Sequence, residues 1–272
     1  MVTAAKARIN IIEAIHSGRS GHPGGSLSAA DLFTYLYFRE MNIDPQDPQW
    51  EDRDRFVLSK GHTNPGLYAV LAMKGFFPLE ELKTLRHIGS RLQGHPNMHE
   101  TPGVDMSTGS LGQGVSAACG MALAAKYKKM DCRIYTLLGD GEIQEGQVWE
   151  AFMFAHHYKL DNLCVIIDNN KLQIDGKVGD VMSPYPIVDK LRDFGFAVEA
   201  INGHNFDQIE NAFQKASETK GVPFAIVMST VKGRGVSFME NLAAWHGKAP
   251  NDEEYERAMK ELKEHLKEVE AM

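Results

Sequence analysis

Short runs of apolar residues alternate along the chain with longer stretches in which apolar residues recur every three or four positions. The short runs predict strands at 56–58, 134–138, 162–168, 196–202 and 223–231. The longer stretches predict helices at about 112–129, 146–158 and 205–220. Strands that are apolar throughout and separated by helices indicate an α/β fold, with a mostly parallel β-sheet flanked by helices on both faces.

Three further helices are predicted from apolar periodicity and helix-capping signals. In "SLSAADLFTYLYFREM", Ser28 is the predicted N-cap, with Asp31 three positions on. An N-terminal helix presents one apolar face formed by Ala4, Ala7, Ile11 and Ile15. A C-terminal helix begins after the predicted cap Asn251 and carries an apolar stripe of Tyr255, Met259, Leu262, Leu266 and Val269. This stripe packs either on its own domain or on a partner, because periodicity is compatible with both.

Composition narrows the class of protein. The 272 residues, 43% of them apolar, suffice for one large domain spanning 1–272. Lys and Arg number 29 against 36 Asp and Glu, giving a net charge of −7 without a basic cluster, which excludes nucleic acid and anionic membranes as partners. No window has the roughly 20 apolar residues of a membrane span. The scattered Cys119, Cys132 and Cys164 argue against disulfides and a zinc cluster, and fit a reducing cytoplasm.

The segment "LLGDGEIQEG" places an acid between two glycines where a predicted strand ends. A P-loop would need a Gly-Lys-Ser/Thr ending, and a dinucleotide fingerprint would need glycine at position 144, where the chain has Gln144. Taken alone, Asp140 is best interpreted as a helix N-cap. A second polar strand end changes that interpretation.

That second strand end is "VIIDNNKLQIDG", in which Asn170 follows Asp140 by about thirty residues. It is not a calcium loop, because Leu172 and Gln173 stand where such a loop has a ligand and a glycine. A strand, helix, strand unit of this length places Asp140 and Asn170 side by side at the ends of neighbouring parallel strands. One carboxylate oxygen, one amide oxygen and a nearby backbone carbonyl predict a Mg²⁺ site whose remaining ligands are phosphate and water.

Histidines in glycine-rich loops form a second candidate group. His22, His62, His95 and His246 each adjoin a glycine, so the backbone can bend to bring the imidazoles into a cleft, and imidazole titrates near neutral pH. These four are predicted to be functional. The other seven are predicted to be surface or capping residues: His16, His87, His99, His156, His157, His204 and His265.

A Gly-Asp-Gly followed after about thirty residues by Asn-Asn resembles the thiamine diphosphate motif. The segments "SGHPGGSLSAADL", "DRFVLSKGHTNPGLY", "GHPNMHETPGVDMSTGSLGQGVSAACGMA" and "WHGKAP" are similar, in this order, to the N-terminal cofactor-diphosphate domain of transketolases. The resemblance covers nearly the whole chain, and five ordered motifs are more specific than any one of them.

The resemblance implies roles for individual residues. Asp140 and Asn170 ligate Mg²⁺, or Ca²⁺ or Mn²⁺ in its place, by their side chains, and Leu172 by its carbonyl. Gly141 lets the backbone approach the diphosphate of the thiamine diphosphate. The residues implied to line the cofactor are Gly109, Ser110 and Leu111, together with His62 and His246. The residues implied to be catalytic, contacting cofactor and sugar, are His22, His62, His95 and His246.

The resemblance also implies an activity and a partner. The activity is transfer of a two-carbon ketol unit from a ketose phosphate to an aldose phosphate, a transferase reaction of pentose phosphate metabolism that proceeds through a cofactor-bound enamine. The family's pyrimidine-binding domain is absent from this chain and is expected on a separate polypeptide. The expected assembly is α2β2, cytoplasmic, with active sites at subunit interfaces and the chain as N-terminal subunit.

Several alternatives stay open. One is another thiamine diphosphate enzyme, either deoxyxylulose phosphate synthase-like or 2-oxo-acid decarboxylating, and another is a non-catalytic binding module. Departures from the family in "HPGGSLSAAD" and "GHPN" leave room for a transketolase-like enzyme of an unusual sugar. Glu145 and Glu150 align with acids that relay protons between paired sites, or are ordinary surface residues. Lys232 and Arg234 contact a phosphate, or belong to a loop that closes over the site.

Overall fold

In a computed structural model that describes residues 1–271, five parallel strands form the central sheet in the order β1, β2, β3, β7, β6. These strands are β1 Arg55–Leu58, β2 Ile134–Gly139, β3 Leu163–Asn169, β6 Ala197–Asn202 and β7 Phe224–Ser229. A short antiparallel hairpin, β4 Leu172–Gln173 and β5 Gly176–Lys177, follows β3. The predicted strands are confirmed, and the register places Gly139 opposite Asp168 at the carboxyl ends of β2 and β3.

Helices cover both faces of the sheet, as predicted. They are α1 Val2–Ser17, α2 Pro23–Ser28, α3 Ala30–Tyr35, α4 Asn64–Lys74, α5 Gln113–Lys128, α6 Gly146–His157, α7 Val178–Val181, α8 Ile187–Asp193, α9 Phe206–Glu218 and α10 Asp252–Glu270. The sheet separates two apolar clusters: one contains residues of α1, α3, α4, α9 and α10, and the other contains residues of α5, α6 and α8. None of the helices within residues 1–271 has the length and apolarity that crossing a bilayer requires.

The α10 helix packs along α1, so its apolar stripe belongs to this domain. Met259, Leu262 and Val269 are buried, and the ring of Tyr255 stacks on His16 with 3.9 Å between centroids. On α1, the predicted apolar face is buried throughout. Of the two alternatives for this stripe, packing on its own domain is therefore the one observed within the described residues.

The prediction that Ser28 is the N-cap of a helix is wrong. Ser28 ends α2 instead of starting a helix, because Pro23 occupies the first helical turn and the chain enters that helix from His22. The Ser28 hydroxyl donates to Asp168 Oδ2 at 2.6 Å, which connects this helix to the end of β3.

The cap at Asn251 is confirmed and complete. Its side chain accepts from the Glu254 amide at 2.8 Å, and the Glu254 carboxylate accepts in return from the Asn251 amide at 2.9 Å.

Replacing Asn251 with alanine is expected to lower the free energy of unfolding by about 1 kcal/mol, because one orphan amide of α10 loses its acceptor. Urea denaturation of the chain measures this loss. Asn251→Asp keeps the acceptor and is the matched control. Equal stability of the alanine variant and the parent would contradict the capping role.

Candidate functional site

Asp140 and Asn170 lie side by side at the carboxyl ends of β2 and β3, where the sequence placed them. Both are buried. The Asp140 carboxylate accepts from the Gly141 amide at 3.0 Å and, across to the next strand end, from the Lys171 amide at 2.5 Å. Asn170 Oδ1 accepts from the Leu172 amide at 3.1 Å. The two oxygen-bearing side chains are thus fixed by the backbone that follows each strand.

The Asp140 carboxylate is buried, and its hydrogen-bond donors within the described residues are backbone amides. Desolvation, followed by the repulsion of Asp168, raises the pKa of Asp140 to about 7. A cation bound beside it would offset both effects. Carboxylate, amide and carbonyl oxygens at one strand edge are the donor set of Mg²⁺, so the residues present fit this ion.

Lys232 is the residue of the "TVKGRG" loop that reaches the site. Its buried ammonium donates to the Leu172 carbonyl at 2.9 Å, and it lies 2.9 Å from His246 Nδ1. Burial and the neighbouring Lys60 lower the pKa of Lys232 to about 8. Arg234 instead points away from the site, toward Glu240. The two basic residues therefore have different environments, although they are only two positions apart.

A cleft of about 370 Å³ opens above these strand ends and gathers most of the predicted site. Three of the four predicted histidines line it with the strand-end residues: His62, His95 and His246 with Gly109, Leu111, Asp140, Gly141, Asn170 and Leu172. His22 completes the group from beside the cleft, with its ring centroid 5.2 Å from His62 and 5.6 Å from His246. Ser110 is exposed between two lining residues.

The loop that carries Gly109 approaches the cleft closely. Gly109 has a φ of 148°, and a Cβ there would lie 2.9 Å from the ring of His95. At Gly141 a side chain would be crowded, because a Cβ there would lie 3.2 Å from the Cβ of Gln173. Glycine at these two positions keeps the backbone at the cleft wall accessible to a ligand.

A buried ion pair beneath the cleft was missed by the sequence analysis. Asp168, fully buried, accepts from Lys60 Nζ and Thr230 Oγ1, from Ser28 Oγ, and from Asn170 Nδ2 at 3.1 Å. Burial opposes ionisation of Asp168, but Lys60 and these hydrogen bonds hold its pKa below the usual range. The available signal was the polar residue that closes "VIID", although a strand end gives no indication of its partner.

Glu142 is a second buried acid that the sequence analysis did not assign. It accepts from Ser59 Oγ at 2.5 Å, from the Gly112 amide at 3.0 Å and from the Gly139 amide at 3.1 Å. Burial raises its pKa. Glu142 therefore ties the loop that contains residues 109–111 to the end of β2.

The prediction that His204 is a surface or capping residue is wrong. Its side chain is only 11% exposed, and its Nδ1 lies 2.7 Å from Asp31 Oδ2. Its Nε2 accepts from the Val231 amide at 2.9 Å, which anchors the start of the loop that carries Lys232. Long-range partners on α3 and after β7 determine this role, and local sequence does not contain them.

Glu145 and Glu150 are exposed, one at the edge of the cleft and the other on α6. Exposure is what either interpretation of these two acids requires. Their role in proton relay therefore stays a prediction.

Fold and site together define an α/β domain in which acid, amide, lysine and histidine side chains gather in a cleft at the carboxyl edge of the sheet. The chain belongs to the transketolase family: residues 2–268 match the family described as transketolase, thiamine diphosphate binding domain. The predicted family, fold and enzyme class, a transferase, are thereby confirmed.

Two curated relatives of similar length are named as subunits of transketolases. The 6-deoxy-6-sulfo-D-fructose transketolase subunit SqwG of Clostridium sp. strain MSTE9 is 50% identical over 242 residues, covering 89% of this chain and 88% of the relative. An apulose-4-phosphate transketolase subunit of Phocaeicola vulgatus is 43% identical over 265 residues, covering 97% of this chain and 94% of the relative.

Among solved structures, the transketolase of Campylobacter jejuni superposes on this chain with a TM-score of 0.89 at 34% identity. The match covers 96% of this chain and 43% of that one, so this chain spans less than half the length of the solved transketolase chain. These similarities support the prediction that the chain corresponds to the N-terminal part of a transketolase.

Proposed function

We propose that the chain is the cofactor-diphosphate-binding subunit of a two-chain transketolase, which transfers a two-carbon ketol unit from a ketose phosphate to an aldose phosphate. The observation that carries this proposal is the cleft in which the strand-end pair Asp140 and Asn170 adjoins the histidine cluster. Relatives of similar length named as transketolase subunits support it.

The cofactor is thiamine diphosphate, held through a divalent cation. Asp140, Asn170 and the Leu172 carbonyl are the Mg²⁺ ligands, and Ca²⁺ or Mn²⁺ serves as a substitute. When bound, thiamine diphosphate supplies a nucleophilic carbon and an electron sink for cleaving and forming a carbon–carbon bond beside a carbonyl.

The chain's own residues bind and orient. Gly141 and the segment 109–111 bring backbone close to the cofactor, and Lys232 adds a buried positive charge for the diphosphate. His62 and His246 contact the cofactor. These two, with His22 and His95, face sugar oxygens, and His62 and His95 assist proton movements.

A separate chain carries the pyrimidine-binding domain and covers the cleft. Two exposed apolar side chains that line the cleft support this partner: Leu111 and Ile174, at 37% and 68% exposure. In this proposal residues 1–272 are one domain and the partner supplies the other. The catalytic site is therefore completed only at the subunit interface.

The proposed assembly is α2β2, in which isologous contact relates two copies of this chain by two-fold symmetry. Tyr127 of α5 and Met153 of α6, at 89% and 57% exposure, are candidates for apolar contacts in this assembly. The three cysteines are free and buried, which fits the proposed cytoplasmic location. The proposed role in pentose phosphate metabolism follows from the proposed reaction.

For the sugar substrates there are two candidates: the common ketose and aldose phosphates of transketolases, and an unusual sugar. Relatives named for 6-deoxy-6-sulfo-D-fructose and apulose 4-phosphate favour an unusual sugar. The family assignment favours ketol transfer over the alternatives based on pyruvate, and over a binding module without turnover.

The test is reconstitution of this chain with the C-terminal transketolase subunit of the same organism, in the presence of thiamine diphosphate and Mg²⁺. Xylulose 5-phosphate and 6-deoxy-6-sulfofructose are the donors, and ribose 5-phosphate and glyceraldehyde 3-phosphate are the acceptors. Ketol transfer by the mixture and by neither chain alone is expected. Cofactor binding by the mixture without transfer from either donor, or turnover of pyruvate instead, would overturn the proposal.

A further inference from the structure

His22 and His246 each have a cationic side chain within hydrogen-bond distance of Nδ1. We propose that Arg86 and Lys232 are positioning residues that hold His22 and His246 as neutral imidazoles with the proton on Nε2, so that each ring can donate a hydrogen bond to a ligand. The identity of the ligand that accepts these bonds rests on the proposed function. The protonation pattern itself does not.

The pair formed by Lys232 and His246 has the shorter contact. The ammonium lies 2.9 Å from His246 Nδ1 and also donates to the Leu172 carbonyl. An ammonium has donors and no acceptor, so the Nδ1 atom that faces it presents a lone pair. A neutral ring with a lone pair on Nδ1 carries its proton on Nε2.

The pair formed by Arg86 and His22 repeats the arrangement. Arg86 Nη2 lies 3.4 Å from His22 Nδ1 and donates to the Gly94 carbonyl at 3.1 Å, while Nη1 donates to Ser20 Oγ at 2.8 Å. The guanidinium is therefore held from both sides. Since guanidinium is also donor-only, His22 Nδ1 is the acceptor.

The opposite ring atoms remain available for a ligand. Within residues 1–271, the Nε2 atoms of His22 and His246 have no hydrogen-bond partner in the protein. The rings of His22, His62 and His246 lie 5.0–5.6 Å apart by their centroids. The rings of His22 and His246, whose Nε2 atoms are uncommitted, are therefore close neighbours.

The electrostatic surroundings favour neutral rings. Burial, Arg86, His95 and Lys232 lower the pKa of His22 to about 4, and the rings of His62 and His246 also adjoin it. Burial, Lys232, His22 and Lys60 lower the pKa of His246 to about 3. The charged groups that shift these two pKa values are all basic, although Asp140 and Glu142 also line the cleft.

The chemical consequence concerns the kind of catalysis. A neutral imidazole with Nε2–H donates to an oxygen and stabilises negative charge that develops on it, but has no lone pair on Nε2 with which to remove a proton. His22 and His246 are thus assigned to holding hydroxyl and carbonyl oxygens of a polyhydroxylated ligand. Removal of protons falls to other groups of the assembled site.

The protonation pattern is tested on the full chain labelled with ¹⁵N-histidine, by following the ring nitrogens of His22 between about pH 5 and 8. In the parent, Nδ1 is expected to remain unprotonated over this range. In Arg86→Met, the pKa of His22 is expected to rise by at least about one unit, a tenfold gain in proton affinity. Arg86→Lys should restore the parental behaviour.

Ser20→Ala is the matched control, because it removes an anchor of the guanidinium while leaving Arg86 in place. It is expected to leave the His22 nitrogens unchanged. A parental His22 with its proton on Nδ1, or an Arg86→Met titration that coincides with the parent in a folded chain, would overturn the proposal. The readout needs no turnover, so it is independent of whether the proposed activity is correct.

A second arm uses the reconstituted enzyme. The amide of glutamine donates from nearly the position of imidazole Nε2 and is not a base. His22→Gln is therefore expected to keep kcat within about tenfold of the parent, whereas His22→Ala loses about a hundredfold or more. A His22→Gln enzyme as slow as His22→Ala would overturn the assignment of His22 as a donor.

Discussion

Replacing Asp140 with alanine is expected to abolish the Mg²⁺-dependent retention of thiamine diphosphate and to leave the fold intact. Three acids lie near the strand ends, but they differ in what neutralises them. Asp168 is paired with Lys60, and Glu142 accepts three hydrogen bonds. Asp140 accepts only from two backbone amides, and its pKa is raised to about 7. It is therefore the acid that has most to gain from a bound cation.

Isothermal calorimetry on the reconstituted pair measures this effect, with thiamine diphosphate added in the presence and absence of Mg²⁺. Loss of a metal ligand should weaken Mg²⁺-dependent binding by about a hundredfold or more, beyond the effect of losing an outer-shell partner. Asp180→Ala, an exposed acid on α7, is the control and should bind normally. Mg²⁺-dependent binding by Asp140→Ala at the parental affinity would show that the metal lies elsewhere.

Sequence was sufficient for the features that depend on periodicity and on strand order. Apolar strands alternating with helices require a covered parallel sheet, and the ends of neighbouring parallel strands meet at one edge. The proximity of Asp140 and Asn170 could therefore be predicted from sequence alone. The cap at Asn251 was predictable for a related reason, because all of its partners lie within three residues.

Sequence was insufficient where a buried polar group finds its partner across the fold. Lys60 and Asp168 are 108 residues apart, and His204 is 173 residues from Asp31. Each pair depends on how separate elements pack, which no local pattern encodes. Ser28 failed for the same reason: its hydroxyl has a local use as a cap, but the end of β3 offered a charged acceptor.

The missed groups form a layer beneath the predicted site. Asp168 joins the end of β3 to α2 through Ser28 and to the segment after β1 through Lys60, and Glu142 joins β2 to the loop containing Gly112. These contacts fix the backbone from which the predicted ligands project. A sequence motif therefore identifies the residues that meet the cofactor more readily than the residues that hold them in position.

Replacing Arg8 with methionine is expected to lower the free energy of unfolding by about 3–5 kcal/mol, because it leaves the Asp31 carboxylate buried without its counter-ion. Arg8 and Asp31 are both buried and form a two-pronged pair, with Nη1 to Oδ1 at 2.9 Å and Nη2 to Oδ2 at 2.6 Å. His204 contacts the same carboxylate, but a neutral imidazole replaces little of a guanidinium's charge.

Urea denaturation at pH 7 and at lower pH tests both the size and the origin of this loss. Burial alone would raise the pKa of Asp31, but Arg8 and His204 hold it below the usual range. The contribution of the ionised Asp31 is therefore complete above its unfolded-state pKa of about 3.9 and is lost as the pH falls toward the folded-state value. In Arg8→Met the isolated carboxylate protonates more easily, so the deficit relative to the parent should be largest at neutral pH and shrink on acidification.

Lys6→Met is the matched control on the same helix. Lys6 contacts Glu270 at 3.5 Å, but both side chains are about half exposed, so its loss should cost no more than about 0.5 kcal/mol. A double variant, Arg8→Met with Asp31→Leu, removes both charges and should be less destabilised than Arg8→Met alone. If Arg8→Met is no less stable than Lys6→Met, or if its deficit grows as the pH falls, the buried pair does not stabilise the fold in the way argued.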